Sequence, residues 1–362
     1  GQVGPQSAGP SPSHVARVCG SGLTLLRHCH VAQRPNSPSN PRAMLKLAAL
    51  ASLLASGSAV LLTSAPVIDK DLQRLGAPLT KDQLDASERN SGLSSSLVQR
   101  LLSAAAKTSS KVAGGAHKPV IYFIGDSLIR NQYQALCALL EGRILSPLGD
   151  GPFHCEAKEA YAAYMYRDFL DKDVVGILVG AGHPSPDVVY FDSCFHMLHL
   201  HPARPMDANM FQRLLHFDEE LGEVLQAYGD KAPGASLDVM TPFQVCEEKY
   251  TAVWASLATS SNANPQAAAK PCVEDVVATG INEEVAQRIC ERSFFTKAGA
   301  SHVAEAVRRV VAGLPGRLGE SSMVVDQWNL TEGHCDIVEK DGRHYNVMIL
   351  EQLDEFFRVN GW

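Results

Sequence analysis

The chain has 362 residues, 45% of them apolar and 20% charged, proportions that exclude collagen-like, fibrous and wholly disordered proteins. Its formal charge of −7 argues against a binder that relies on phosphate contacts, so no nucleic-acid partner is expected. The charge is also uneven: the first of the 39 acidic residues is Asp69, and five basic residues precede it.

In chain order, residues 1–43 are rich in Pro, Ser and Arg and read as a non-native upstream or leader extension, with a transit-type leader as the competing reading. Residues 44–65 follow a different logic. Met44 and Lys46 precede the apolar run Leu47–Leu62, which contains the small-residue exit Gly57-Ser58-Ala59. That pattern predicts a secretory signal peptide. The run is short of the roughly 20 residues of a membrane span, and an uncleaved type II signal-anchor is the other reading. Either one sends the chain into the secretory pathway, to the Golgi lumen or out of the cell. A membrane is a partner only if the anchor stays. Residues 66–117 are polar and read as a stem, with a short helix around Leu97–Leu102. Residues 118–362 form the expected domain.

That domain opens with a β-rich apolar run, Val120–Ile124, followed by helical periodicity over Leu128–Glu141. Val174–Val179, Val188–Phe191, Leu237–Met240 and Met323–Val325 read as further strands. Helical patterns cover Met210–Tyr228, Glu247–Ala258, Glu283–Ser293, Ala300–Leu314 and Ile349–Val359. Alternating strands and helices predict an α/β fold with a mostly parallel sheet covered on both faces.

Functional residues of such a sheet gather at the carboxyl ends of its strands. The first strand runs into Gly125-Asp126-Ser127, which places Ser127 at a helix N-terminus, where N–H groups and the helix dipole favour a developing oxyanion. The same triplet also serves as an ordinary N-cap turn. A serine nucleophile needs a base and an orienting group. Asp341-Gly342-Arg343-His344, after the last predicted strand, offers both: a carboxylate three residues from a histidine.

Gly125-Asp126-Ser127-Leu128-Ile129-Arg130-Asn131-Gln132 resembles the opening block of the PC-esterase (trichome-birefringence-like) group of the SGNH/GDSL hydrolase superfamily. The segments Pro186–Leu198 and Asp341–Tyr345 support the likeness. The resemblance implies a flavodoxin-like three-layer α/β/α sandwich. It also implies a serine esterase or O-acyltransferase, acting on acyl (chiefly acetyl) esters of a carbohydrate or glycoconjugate, with an acyl donor as a further partner in the transferase case. By position, Ser127 matches the nucleophile, His344 the base and Asp341 its orienter, with no cofactor. Gly125 and Asp126 belong to the same turn, and Gly180 or Gly182 would add an oxyanion donor. Arg130 and Asn131 would hold the loop by hydrogen bonds. The chain departs from the family at Asp192-Ser193-Cys194, where Asn and Gly are preferred. An amide donates to an oxyanion and an ionised carboxylate does not, so Asp192 would leave that part of the oxyanion hole unfilled.

Two other readings stay open. His196, His199 and His201, with Asp187 and Asp192 nearby, suit a metal-dependent hydrolase. The departure at Asp192 and Cys194 suits a non-catalytic glycan-binding relative. Asn329-Leu330-Thr331 is a glycosylation sequon that matters only in the secretory lumen. Of the nine cysteines none forms a CxxC pair; Cys137–Cys155 and Cys272–Cys290 are the most local disulfide candidates, and connectivity stays open.

Overall fold

The computed structural model describes residues 78–109, 117–145, 151–192, 216–249, most of 273–292, and 297–362. Residues 1–65, and with them the leader and signal segments, lie outside the described residues. So do His196, His199, His201, Cys194 and Cys272.

Six strands form one sheet: β1 (Val120–Gly125), β2 (Phe153–Glu156), β3 (Tyr161–Tyr166), β4 (Val188–Asp192), β5 (Ser236–Met240) and β6 (Ser322–Val325). Their spatial order is β2-β3-β1-β4-β5-β6, and every pairing is parallel except the edge pair β2–β3. Leaving out β2, the parallel strands follow the 2-1-3-4-5 order of doubly wound sheets, whose switch point lies beside the first strand. Ten helices are named here: α1 (Lys81–Ser91), α2 (Ser94–Ser109), α3 (Ser127–Glu141), α4 (Val174–Gly180), α5 (Phe217–Lys231), α6 (Glu283–Arg292), α7 (Lys297–Gly313), α8 (Gly316–Ser321), α9 (Gln327–Thr331) and α10 (Ile349–Val359). The architecture is the expected three-layer α/β/α sandwich.

The central strands read as continuous apolar runs because both faces are covered. All six β1 residues are buried, as are all five of β4. Phe123 packs edge-on against Tyr133 of α3 and Tyr190 of β4, and Tyr190 stacks on Phe356 of α10 with centroids 4.4 Å apart. These contacts fix α3 and α10 to the same face, which decides where the chemistry can assemble.

Two expectations are corrected. Val174–Val179 is helical: Val174, Val175 and Leu178 are buried while Ile177 and Val179 are exposed, a one-sided pattern that a six-residue apolar run does not reveal. The strand beside β1 is instead the Ala/Tyr segment β3. Within the predicted polar stem, residues 81–109 form α1 and α2, which pack onto the domain. Leu79, Leu97, Leu101 and Ala104 are fully buried. The Leu79 N–H donates to Gln134 Oε1 at 3.0 Å, and the Leu350 N–H donates to Ser87 Oγ at 3.1 Å. Arg100 donates to the Trp362 carbonyl at 2.7 Å and pairs with Asp354. A helix needs only a narrow apolar stripe to dock, so polar average composition hid this one.

Candidate active site

β1 ends in Gly125, whose φ of 149° few side chains tolerate. A Cβ there would lie 2.2 Å from Asp192 Oδ2, so glycine is required by both torsion and space. Asp126 caps α3: its Oδ1 accepts from the Leu128 N–H at 2.7 Å. Ser127 is therefore the first helical residue, where N–H groups have no partner within the helix.

Ser127 Oγ lies 2.9 Å from His344 Nε2, and His344 Nδ1 hydrogen-bonds Asp341 Oδ2. All three side chains are buried, with Ser127 and His344 each 3% exposed. The serine and histidine are 217 residues apart in sequence, so this convergence is a product of the fold. Burial pushes the Asp341 carboxyl up. The neighbouring His344 charge, its hydrogen bonds and Arg343 outweigh that and hold the carboxyl well below its ordinary value. Arg343, buried with its Nε 3.6 Å from Asp341 Oδ2, is a site residue the sequence reading passed over, although it stands inside the Asp-x-x-His turn.

The turn itself is anchored from three sides. Gly342 adopts φ 71° and its carbonyl accepts from the Cys246 N–H at 2.8 Å. Cys246 is bonded to Cys335, a disulfide not anticipated, whereas Cys137–Cys155 is as expected. The Tyr345 hydroxyl donates to the Gln244 carbonyl at 3.0 Å, and Gln352 of α10 donates to the Tyr345 carbonyl at 2.9 Å. Asn131 Nδ2 donates to Asn346 Oδ1 at 2.9 Å, directly tying the helix of Ser127 to the segment of His344. Arg130 sits one turn beyond Ser127 with its Nη2 3.3 Å from Asn131 Oδ1. Burial pulls the Arg130 pKa down, against the opposing charges of its neighbours Tyr164 and Asp126.

Asp192 plays a part different from that of an oxyanion donor. Its Oδ2 accepts from the Asp126 N–H at 2.7 Å, so the carboxylate braces the turn that presents Ser127. Gly180 and Gly182 do not reach the site. They precede His183, whose ring meets the hydroxyl of Tyr161, the first residue of β3, and Pro184, whose carbonyl accepts from Tyr122. This is the starting end of the strands, and a six-residue strand places it about 17–20 Å from Ser127. The Gly182 N–H is also already bonded, to the Val179 carbonyl. Among the described residues, the connection that flanks the Ser127 turn follows Tyr166, the residue paired with Gly125 at the end of β3.

Asp187 pairs with His117 and is held away from the site at the same starting end. Among the described residues one trio, Cys246, Glu248 and Cys335, brings metal-ligand atoms together, and its two sulfurs are joined in a disulfide. Asn329 is exposed on α9, with its amide bonded to Asp326. Among the described residues no helix is long and apolar enough to cross a membrane. No protein-family model matches the chain, and no curated protein sequence matches it.

Proposed function

We propose that the protein is a serine esterase or O-acyltransferase of the SGNH type, acting on acyl esters, chiefly acetyl esters, of a carbohydrate or glycoconjugate. The observation that carries the reading is the relay Ser127–His344–Asp341, with Oγ 2.9 Å from Nε2 and Nδ1 on the carboxylate. That is the distance and order a nucleophile, base and orienter need.

In this reading Ser127 Oγ attacks the acyl carbonyl as its proton passes to His344 Nε2. The N–H groups at the start of α3 receive the oxyanion. His344 then returns the proton to the departing sugar oxygen, leaving an acyl-serine. Water attacking that ester completes hydrolysis; a sugar hydroxyl completes transfer. Asp341 keeps Nδ1 protonated and stabilises the imidazolium. Placement in the secretory pathway is part of the proposal and agrees with two disulfides, which persist in oxidising compartments.

Turnover of p-nitrophenyl acetate tests it. Ser127→Ala is expected to lower kcat by roughly a thousandfold or more and to abolish labelling by a fluorophosphonate, with the fold intact. A chelator should leave the rate unchanged. Retained turnover in Ser127→Ala would sink the assignment, and loss of activity in chelator would favour the metal-dependent reading.

A further inference from the structure

The Cys246–Cys335 bridge ties the connection after β5 to the segment that leads into Asp341 and His344, and its surroundings differ from those of Cys137–Cys155. We propose that Cys335 is a thiol–disulfide exchange site: a dithiol reductant opens this bridge in the folded protein, and opening it slackens the His344 turn. The exchange stands on geometry alone; its effect on turnover rests on the esterase reading of Ser127.

Access is the first argument. Cys137 and Cys155 are sealed, at 0% and 1% exposed. Cys246 is sealed as well, but Cys335 is half-buried between the exposed His334 and Asp336. An incoming thiolate therefore meets Cys335 Sγ and expels Cys246 Sγ.

The second argument is a donor aimed at sulfur. Gln244 is 4% exposed, and its Oε1 accepts from the Gly333 N–H at 2.7 Å. A backbone N–H can only donate, so that bond fixes which way the amide faces. Its Nε2 is thereby turned to the bridge, 3.2 Å from Cys335 Sγ and 4.0 Å from Cys246 Sγ. A disulfide sulfur is a weak acceptor, whereas a thiolate makes a charge-assisted bond, so the amide favours the reduced form. The Glu248 carboxylate, within 4.8 Å of both sulfurs, opposes it, but that side chain is exposed and its charge is screened.

The exchange runs in two steps. The reductant's first thiolate bonds to Cys335 Sγ as the Cys246–Cys335 bond breaks, and the electron pair leaves on Cys246 Sγ. The reductant's second thiolate then attacks its own bound sulfur and frees the Cys335 thiolate, while the reductant departs as a disulfide. The protein gains two electrons, and two protons once both thiolates are protonated. Without the bridge, hydrogen bonds must hold the Asp341–His344 turn to that connection, from the Cys246 N–H to Gly342 and from the Tyr345 hydroxyl to Gln244.

Dithiothreitol titration of the full chain, its free thiols blocked beforehand with N-ethylmaleimide, tests this. Alkylation and peptide mass spectrometry read each bridge, and p-nitrophenyl acetate reads turnover. Cys246 and Cys335 should open at a dithiothreitol concentration at least about tenfold below that needed for Cys137 and Cys155. Turnover should fall by about fivefold or more at the same midpoint and return on reoxidation. Gln244→Leu should raise that midpoint roughly tenfold, and Glu248→Gln should lower it about twofold to threefold. Glu248 is exposed, so that variant keeps the test valid should Gln244→Leu fail to fold. Opening of the two bridges together, a midpoint indifferent to both substitutions, or full turnover with the bridge open would overturn the proposal. A wild type that never hydrolyses the ester would overturn the esterase reading, while the order of alkylation still decides the exchange.

Discussion

Asp192 braces the turn that presents Ser127, and that makes its replacement informative. Its carboxylate accepts the Asp126 N–H, a task an amide oxygen also performs, so Asp192→Asn should keep kcat within about threefold, whereas Asp192→Ala should lose far more. Equal losses in both variants would mean that the negative charge, not the brace, is what matters. Gly125→Ala meets the same carboxylate from the other side and should destabilise the fold by about 3 kcal/mol in denaturant unfolding. The buried acids make opposite pH predictions. Asp341 is held below its ordinary value, so its contribution to stability is present above about pH 4 and lost as pH falls further. Asp238, buried in β5 with Ser236 and Asn360 donating to it, is pushed up by burial to about 6. Its contribution is present below about pH 4 and lost as pH rises through 6. Thermal unfolding of Asp238→Asn should therefore gain on wild type between pH 4 and 7, by an amount on the order of 2–3 kcal/mol; a gap that does not change with pH would refute the shift.

At the level of elements, the segment that carries His344 hangs on the connection after β5 through the Cys246–Cys335 bond and two hydrogen bonds, from the Cys246 N–H to the Gly342 carbonyl and from the Tyr345 hydroxyl to the Gln244 carbonyl. Closing 89 residues constrains the unfolded chain by about 4–5 kcal/mol, against about 3 kcal/mol for the 18-residue Cys137–Cys155 loop. Cys246→Ala with Cys335→Ala should thus cost more stability and more turnover than the paired removal of Cys137 and Cys155, measured by melting and by p-nitrophenyl acetate hydrolysis. An equal cost would show that hydrogen bonds alone hold the turn. This element also marks the limit of what could be read from the chain. Ser127, His344 and Asp341 were legible because a nucleophile turn and an Asp-x-x-His turn are local patterns, each with its chemistry written in a few neighbours. The brace at Asp192, the Asn131–Asn346 bond and the Cys246–Cys335 bridge join residues 66 to 215 positions apart, and nothing local announces such partners. Strand β3 escaped because its Ala-rich apolar run, flanked by charged residues, has no stronger periodicity than the helix that follows it.

For the whole molecule, α1 and α2 enlarge the domain beyond the boundary at residue 118 that composition suggested. Burying Leu79, Leu97 and Leu101 at roughly 1.5–3 kcal/mol each is comparable to the entire net stability of an ordinary domain. A chain beginning at Lys118 is expected to unfold at least 10 °C below one beginning at residue 66, or to lose its cooperative transition; equal melting temperatures would restore the stem. The helices that make this difference grip α10, and α10 in turn steadies the histidine turn through Gln352. His344 thus leans on a helix that lies beyond it in sequence, while Ser127 stands more than two hundred residues before both. A substitution that loosens the seat of α10 is therefore expected to slacken the proposed relay without touching any of its three members.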